Sequence, residues 1–124
     1  MARILVVDDD RDIVEAIQIL LKTFGYETDS AFNRADGEKK ALSGNVDLII
    51  LDVMMDEPDD GMVLARDLRA KKFNKPIIML TSLGKVTGFG VGNDDKVLPV
   101  DVFHEKPISA DQLISTVKKL LERR

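Results

Sequence analysis

Apolar runs of strand length alternate along this chain with segments in which apolar residues recur at helical spacing. The strand-like runs cover residues 3–8, 46–51, 77–80 and 100–104. Continuous apolar and β-branched runs are typical of strands buried on both faces of a sheet. The more polar stretch at 26–32 is typical of an edge strand. The pattern therefore predicts five strands.

Segments of helical period follow the first three strands and close the chain. Asp10 is the expected N-cap of the first helix, and Gly25 stands where that helix should stop. A short helix closed by Gly44 and a helix over 60–71 are expected after the second and third strands. Residues 109–112 carry the serine and glutamine of a capping box, which predicts the start of the last helix.

The crossover after the fourth strand departs from this pattern because it is rich in glycine. Each glycine costs about 1 kcal/mol relative to alanine in a helix, so we expect the fourth helix to be short, irregular or absent. Two interpretations stay open: a surface loop, or a segment that orders when a ligand or partner binds. The glycines are Gly84, Gly88, Gly90 and Gly92.

The alternation of strands and helices predicts an α/β domain built on a parallel sheet with right-handed crossovers. We expect the flavodoxin-like (βα)5 doubly wound fold, with strand order 2-1-3-4-5. The chain has 124 residues, and a domain usually takes about 150 residues. We therefore expect one domain over residues 1–124.

Composition and charge narrow the function classes. The chain has no cysteine, which excludes a disulfide scaffold, a thiolate metal site and a cysteine nucleophile. Its net charge of -4 argues against direct contact with nucleic acid. The apolar runs are too short for a membrane span, and the first residues lack the architecture of a signal peptide. We expect a cytoplasmic protein.

Acidic side chains follow two strands that the predicted order makes neighbours. Asp8 and Asp9 end the first strand, and Asp52 ends the third, so the three carboxylates should converge. Two carboxylates about 4 Å apart repel by about 4 kcal/mol at an effective dielectric near 20. A hard divalent cation with oxygen ligands, Mg²⁺ above all, would remove this conflict.

Two further strand ends add groups that bind phosphate. Lys106 supplies a cation after the fifth strand, and Thr81 supplies a hydroxyl at the end of the fourth. Phosphoryl transfer needs positioning and charge neutralisation, and an aspartate can be the nucleophile. The residues predict a Mg²⁺-dependent phosphoacceptor at Asp52. Asp10 and Asp12, in the first turn of a helix, are assigned to capping and solvation.

Four motifs, each at a predicted strand end, resemble the receiver domain of bacterial two-component response regulators. The resemblance covers the whole chain. Because the chain ends just after its last helix, we expect the stand-alone, single-domain type, although a piece of a longer regulator stays an alternative. The motifs are Ile4–Asp10, Leu51–Met55, Leu80–Ser82 and Phe103–Pro107.

The resemblance implies that Asp52 accepts a phosphoryl group from the phosphohistidine of a histidine kinase or phosphotransfer protein. It implies that Mg²⁺ is held by Asp9 and Asp52, by Asp8 through water, and by the backbone carbonyl of Met54. The phosphorylated form would then change its contacts with a downstream protein. The protein would not be an enzyme beyond its self-catalysed phosphotransfer and autodephosphorylation.

The resemblance also assigns the switch. Thr81 and Lys106 would bind phosphoryl oxygens, and Phe103 would turn inward as Thr81 moves. The family usually has proline four residues after the phosphoacceptor, whereas this chain has Asp56 there. An acidic insertion over 56–60 is therefore expected in the loop after the third strand.

Three alternatives remain. A phosphoryl shuttle in a multistep phosphorelay would use the same residues. A Mg²⁺-dependent aspartate phosphohydrolase would want a second aspartate two residues after Asp52, where this chain has Met54. A flavin carrier would place an anionic cofactor at the acidic loop over 8–10, which would repel it. His104 is interpreted as structural, and the methionines as core side chains.

Overall fold

The computed structural model describes residues 2–43, 45–52, 60–81, 101–105 and 109–122. The expected irregular crossover over 82–100 lies outside these residues. The described strands are β1 (Arg3–Val7), β2 (Glu27–Ala31), β3 (Leu48–Asp52), β4 (Ile77–Thr81) and β5 (Val102–Glu105). The described helices are α1 (Arg11–Thr23), α2 (Arg34–Ser43), α3 (Asp60–Ala70) and α4 (Ala110–Glu122).

The five strands form one parallel sheet in the order β2-β1-β3-β4-β5, which confirms the predicted doubly wound fold. The polar strand β2 lies at the edge, as expected. Val7 in β1 pairs with Leu51 in β3, so Asp8 and Asp52 are the next residues on two adjacent strands. The register alone therefore brings these two carboxylates to the same edge of the sheet.

Side chains of the central strands alternate between two hydrophobic clusters, one on each face of the sheet. Leu5 and Val7 belong to the cluster that packs against α2 and α3. Ile4 and Val6 belong to the cluster that packs against α1 and α4. All five residues of β3 are buried, as expected for a strand covered on both faces. Helices on both faces thus hold the sheet in place.

The strand boundaries shift by one or two residues from those predicted, and local hydrogen bonds explain two of the shifts. Asp8 is not part of β1, because its carboxylate accepts the backbone N–H of Asp10 at 2.9 Å and starts the turn into α1. Asp47 lies before β3, where its carboxylate accepts the backbone N–H of Arg3 at 2.9 Å. The strand expected over 100–104 is observed as β5.

The helix caps are those that the sequence predicts at α1 and α4. The Asp10 carboxylate accepts the backbone N–H groups of Asp12 and Ile13 at 3.0 and 3.3 Å. Ser109 Oγ accepts the backbone N–H of Gln112 at 3.1 Å. These bonds satisfy N–H groups that have no partner within a helix.

A lysine takes the position at the end of α3 that glycine usually takes. Lys72 has a φ of 70°, and Phe73 N–H donates to the carbonyl of Leu68 at 2.9 Å. Lys72 N–H donates to the carbonyl of Arg69 at 3.0 Å. This is the Schellman motif, in which the left-handed residue is normally glycine.

We expect Lys72→Gly to raise the free energy of unfolding by about 0.5–1 kcal/mol, because it removes a Cβ from a left-handed backbone. Urea denaturation followed by circular dichroism measures this change. Lys72→Ala is the matched control, since it removes the same charge and keeps the Cβ. Equal stabilisation by both variants would show that charge, and not backbone strain, is the cause.

Candidate functional site

Three carboxylates meet at the carboxyl edge of the sheet. One carboxylate oxygen from each of Asp8, Asp9 and Asp52 lies within 4.8 Å of the other two. Asp8 and Asp52 are only 2% and 7% exposed, whereas Asp9 is exposed. Two of the three carboxylates are therefore buried and the third is open to solvent. A site that exchanges an ion or a ligand with solvent requires such an opening.

The turn between β1 and α1 fixes the orientation of Asp8. Its backbone N–H donates to the carbonyl of Ala31 at 3.2 Å, which ties the turn to the end of β2. Its carboxylate accepts the backbone N–H of Asp10. Asp10 in turn caps α1, so capping holds the carboxylates in place without contributing a further ligand.

The electrostatics of this cluster favour a bound cation. At a separation of 4.8 Å, each pair of ionised carboxylates repels by roughly 3–4 kcal/mol at an effective dielectric near 20. Oxygen ligands from carboxylates are those that Mg²⁺ and Ca²⁺ prefer. The donor atoms, their number and their spacing therefore fit a hard divalent ion held by Asp8, Asp9 and Asp52.

The other residues that the sequence predicts for this site are described only in part. Asp52 pairs with Leu80 in β4, and Thr81 is the next residue, opposite Glu105 in β5. The backbone of Thr81 therefore lies at the same sheet edge as the carboxylates. Met54, Lys106 and the side chain of Thr81 lie outside the described residues.

Phe103 and His104 point to opposite faces of β5, as strand alternation predicts. Phe103 pairs with Met79 and packs, half-buried, against the cluster under α2 and α3. The ring Nε2 of His104 lies 2.8 Å from the hydroxyl of Thr116 in α4. That hydroxyl donates to the carbonyl of Gln112 at 2.9 Å, so it accepts from the ring. His104 thus has a structural contact, as expected from the sequence.

An ion pair between the starts of α2 and α3 was not predicted from the sequence. Asp60 starts α3 and is 4% exposed, and its carboxylate lies 3.3 Å from the guanidinium of Arg34 at the start of α2. Asp60 was expected both as the last residue of an acidic insertion and as the first residue of a helix; α3 starts there as predicted, and the rest of the expected insertion lies outside the described residues. The place of Asp60 in the first turn, directly before Gly61, was the available signal, because an acid there stabilises a helix N-terminus.

Comparison with known proteins decides the family. The family model described as "response regulator receiver domain" matches residues 4–118. The chain belongs to this family. It is therefore a receiver domain of the response regulators of two-component signal transduction, the family whose motifs the sequence resembles.

Relatives of this receiver domain include two transcriptional regulatory proteins. DltR of Streptococcus agalactiae is 38% identical over 120 residues, covering 94% of this chain and 50% of DltR. ResD of Bacillus subtilis is 39% identical over 125 residues, covering 98% of this chain and 48% of ResD. The chain thus spans about half the length of these curated relatives.

The receiver domain also resembles a solved structure of the response regulator TrrA from Thermotoga maritima. That structure is of a complex with Mg²⁺ and BeF, at 38% identity and a TM-score of 0.83. The match covers 97% of this chain and 99% of the TrrA chain. None of the described helices of this receiver is long and apolar enough to cross a membrane.

Magnesium should stabilise the receiver through the carboxylate cluster. At a Mg²⁺ concentration about 100 times the dissociation constant, we expect a gain of about 2.7 kcal/mol in the free energy of unfolding. Asp8→Asn should lose most of that gain and, without Mg²⁺, should be more stable than wild type by about 1–3 kcal/mol, because one repelling charge is removed. Thermal denaturation with and without Mg²⁺ measures both effects. Asp12→Asn, a change at an exposed acid outside the cluster, should show the same gain from Mg²⁺ as wild type, although the loss of a negative charge from the first turn of α1 can lower its stability at every Mg²⁺ concentration.

Acid should destabilise the receiver through His104. Burial lowers the pKa of His104 below its ordinary value of 6.5, so the unfolded chain binds a proton more readily than the folded one. Stability that is fully present above pH 6.5 is therefore lost as the pH falls below it. Urea denaturation at pH 7.5 and at pH 5.5 should show a smaller difference in His104→Gln than in wild type. Equal differences in the two proteins would contradict this assignment.

Proposed function

We propose that this receiver is a phosphoacceptor switch, in which Asp52 takes a phosphoryl group from the phosphohistidine of a sensor histidine kinase or phosphotransfer protein. The observation that carries the proposal is the cluster of Asp8, Asp9 and Asp52, with oxygens within 4.8 Å at one sheet edge. The transfer is self-catalysed, and the protein is otherwise not an enzyme.

The chemistry assigned to Asp52 is a displacement at phosphorus. A carboxylate oxygen of Asp52 bonds to the phosphorus, the bond from phosphorus to the histidine nitrogen breaks, and that nitrogen keeps the electron pair. The product is an acyl phosphate. Burial supports this role for Asp52, because a nearly water-free carboxylate is held in one orientation for the transfer.

Asp8, Asp9, Asp52 and the backbone carbonyl of Met54 are the proposed holders of Mg²⁺. The ion supplies neutralisation of negative charge on the phosphoryl group and on the carboxylates. The solved complex of TrrA with Mg²⁺ and BeF supports this assignment by similarity. Asp9 and Asp52 would hold the ion through their carboxylates, and Asp8 would hold it through a water molecule.

Thr81 and Lys106 are the proposed partners of the phosphoryl oxygens. Thr81 is the last residue of β4, and Lys106 directly follows β5. The carboxyl ends of these two strands lie at the same sheet edge as Asp52. A hydroxyl and an ammonium would each give a hydrogen bond that strengthens with the charge on the phosphoryl group. Phe103, which lies on the edge strand β5 and packs against the cluster under α2 and α3, is the proposed aromatic switch residue, turning inward as Thr81 moves.

The proposed partners are a kinase before phosphorylation and a protein target after it. A solved structure holds the histidine kinase ThkA together with TrrA, whose chain is 39% identical with a TM-score of 0.81. By similarity, we assign a kinase of that class to this receiver. The output is by protein contact in the cytoplasm, without direct binding of nucleic acid. A phosphoryl shuttle would use the same residues and would differ in passing the group on.

Incubation with acetyl phosphate should add one phosphoryl group to the protein, and intact mass spectrometry detects it. The adduct should require Mg²⁺ and should be absent in Asp52→Asn, which keeps the shape and lacks the nucleophile. Asp67→Asn, a change at an exposed acid on α3, is the control and should be modified as wild type is. Wild-type protein that binds Mg²⁺ and gains no phosphoryl group would overturn the proposal.

A further inference from the structure

An ion pair at the far edge of the sheet joins four segments of the chain. The Arg69 guanidinium donates to the carbonyls of Phe73 and Lys75 at 2.9 and 2.8 Å. It also donates to the carboxylate of Asp101 at 3.1 Å. We call Arg69 and Asp101 the clasp, because together they connect the end of α3, the loop after it, and the starts of β4 and β5.

Asp101 also makes the first hydrogen bonds between β4 and β5. Its backbone N–H donates to the carbonyl of Ile77 at 2.9 Å. Its carboxylate accepts the backbone N–H of Ile77 at 2.8 Å. The side chain of Asp101 therefore takes the place of a main-chain carbonyl, and Arg69 orients that side chain.

Strand β5 depends on such an anchor more than the other strands do. It has four residues, lies at the sheet edge, and follows the long crossover over 82–100. In a parallel pair no tight turn sets the register, unlike in a hairpin, and a slip of one residue turns every side chain to the other face. Such a slip would bring His104 to the core position of Phe103.

We propose that the clasp is a positioning device for the phosphoryl chemistry at the opposite edge of the sheet. It sets the register of β5, and β5 in turn places Phe103 and the start of the segment that carries Lys106. The proposal rests on the proposed function, since it assumes that Lys106 binds the phosphoryl group.

The clasp should act on phosphorylation and leave Mg²⁺ binding unchanged. The described ligands for the ion, Asp8, Asp9 and Asp52, lie on β3 or directly after β1, whereas the described hydrogen bonds of the clasp run between the end of α3, the loop after it, β4 and the start of β5. An ion pair that served stability alone would change neither the rate of phosphorylation nor the register of β5 in the folded protein. The separation of Mg²⁺ affinity from phosphorylation rate therefore distinguishes the two roles.

The test compares Asp101→Ala, Asp101→Asn and Arg69→Met at a temperature where each is folded by circular dichroism. Asp101→Ala should phosphorylate from acetyl phosphate roughly tenfold or more slowly at saturating Mg²⁺, since misplacement by about 1 Å can cost about 100-fold. Asp101→Asn should be affected less, because its amide oxygen still accepts from Ile77. The Mg²⁺ dissociation constant, measured by calorimetry, should stay within about twofold of wild type in all three, as a change of about 0.4 kcal/mol or less.

Amide hydrogen exchange reports how firmly β5 is hydrogen-bonded to β4. In Asp101→Ala the peptide that covers β5 should exchange faster, and the peptides that cover β1 and β3 should not. Arg66→Met, at an exposed arginine of the same helix, is the control for Arg69→Met and should change neither measurement. Wild-type phosphorylation rates in folded Asp101→Ala would overturn the inference, as would unchanged exchange in β5. Wild-type protein that takes no phosphoryl group would instead overturn the proposed function. Faster exchange of β5 in Asp101→Ala would then still show that the clasp anchors this strand.

Discussion

Repulsion among three carboxylates is the constraint around which this receiver is organised. Asp8 and Asp52 are nearly buried beside the exposed Asp9, an arrangement that raises the free energy of the folded chain unless a cation is present. The fold tolerates it because β1 and β3 are held from both faces by two separate hydrophobic clusters. Burial of apolar surface thus stabilises the sheet, and the sheet imposes the unfavourable contact at its edge.

The site draws on two pairs of neighbouring strands in this sheet, and each pair carries different functional residues. The pair β1 and β3 carries the carboxylates, and both strands are covered by helices on both faces of the sheet. The pair β4 and β5 carries Thr81 and Phe103 and leads to Lys106. Since β4 is buried and the start of β5 is anchored through Asp101, the carboxyl end of the short edge strand β5 is the part of this pair with the fewest neighbouring strands to hold it. The proposed switch would use this combination of two strands held from both faces and one less supported strand end.

Much of this organisation could be predicted from the sequence because it depends on local patterns. The apolar run of β3 predicts a doubly buried strand, and Asp10 predicts an N-cap by its position before a helical period. The convergence of Asp8, Asp9 and Asp52 followed from the strand order. All of these require only periodicity, capping chemistry and the rules for parallel sheets.

The features that sequence reasoning missed depend on contacts between distant segments. The pairs Arg34 with Asp60 and Arg69 with Asp101 join residues 26 and 32 positions apart. No periodicity marks which arginine meets which acid. Lys72 was missed for another reason, since a left-handed lysine at the end of a helix is set by the path of the following loop and runs against the preference for glycine.

The chemistry of single positions separates the competing functions more sharply than the fold does, because this fold carries many functions. A phosphohydrolase needs an acid two residues after its nucleophile to help water attack, and Met54 has no proton to exchange. A flavin phosphate would have to lie against the ionised Asp8 and Asp9, whose charges repel it. A switch needs the opposite of a hydrolase: an acyl phosphate that persists long enough to be recognised by a partner. The proposed switch fits that need, because methionine at position 54 has no group that could act as a base for water.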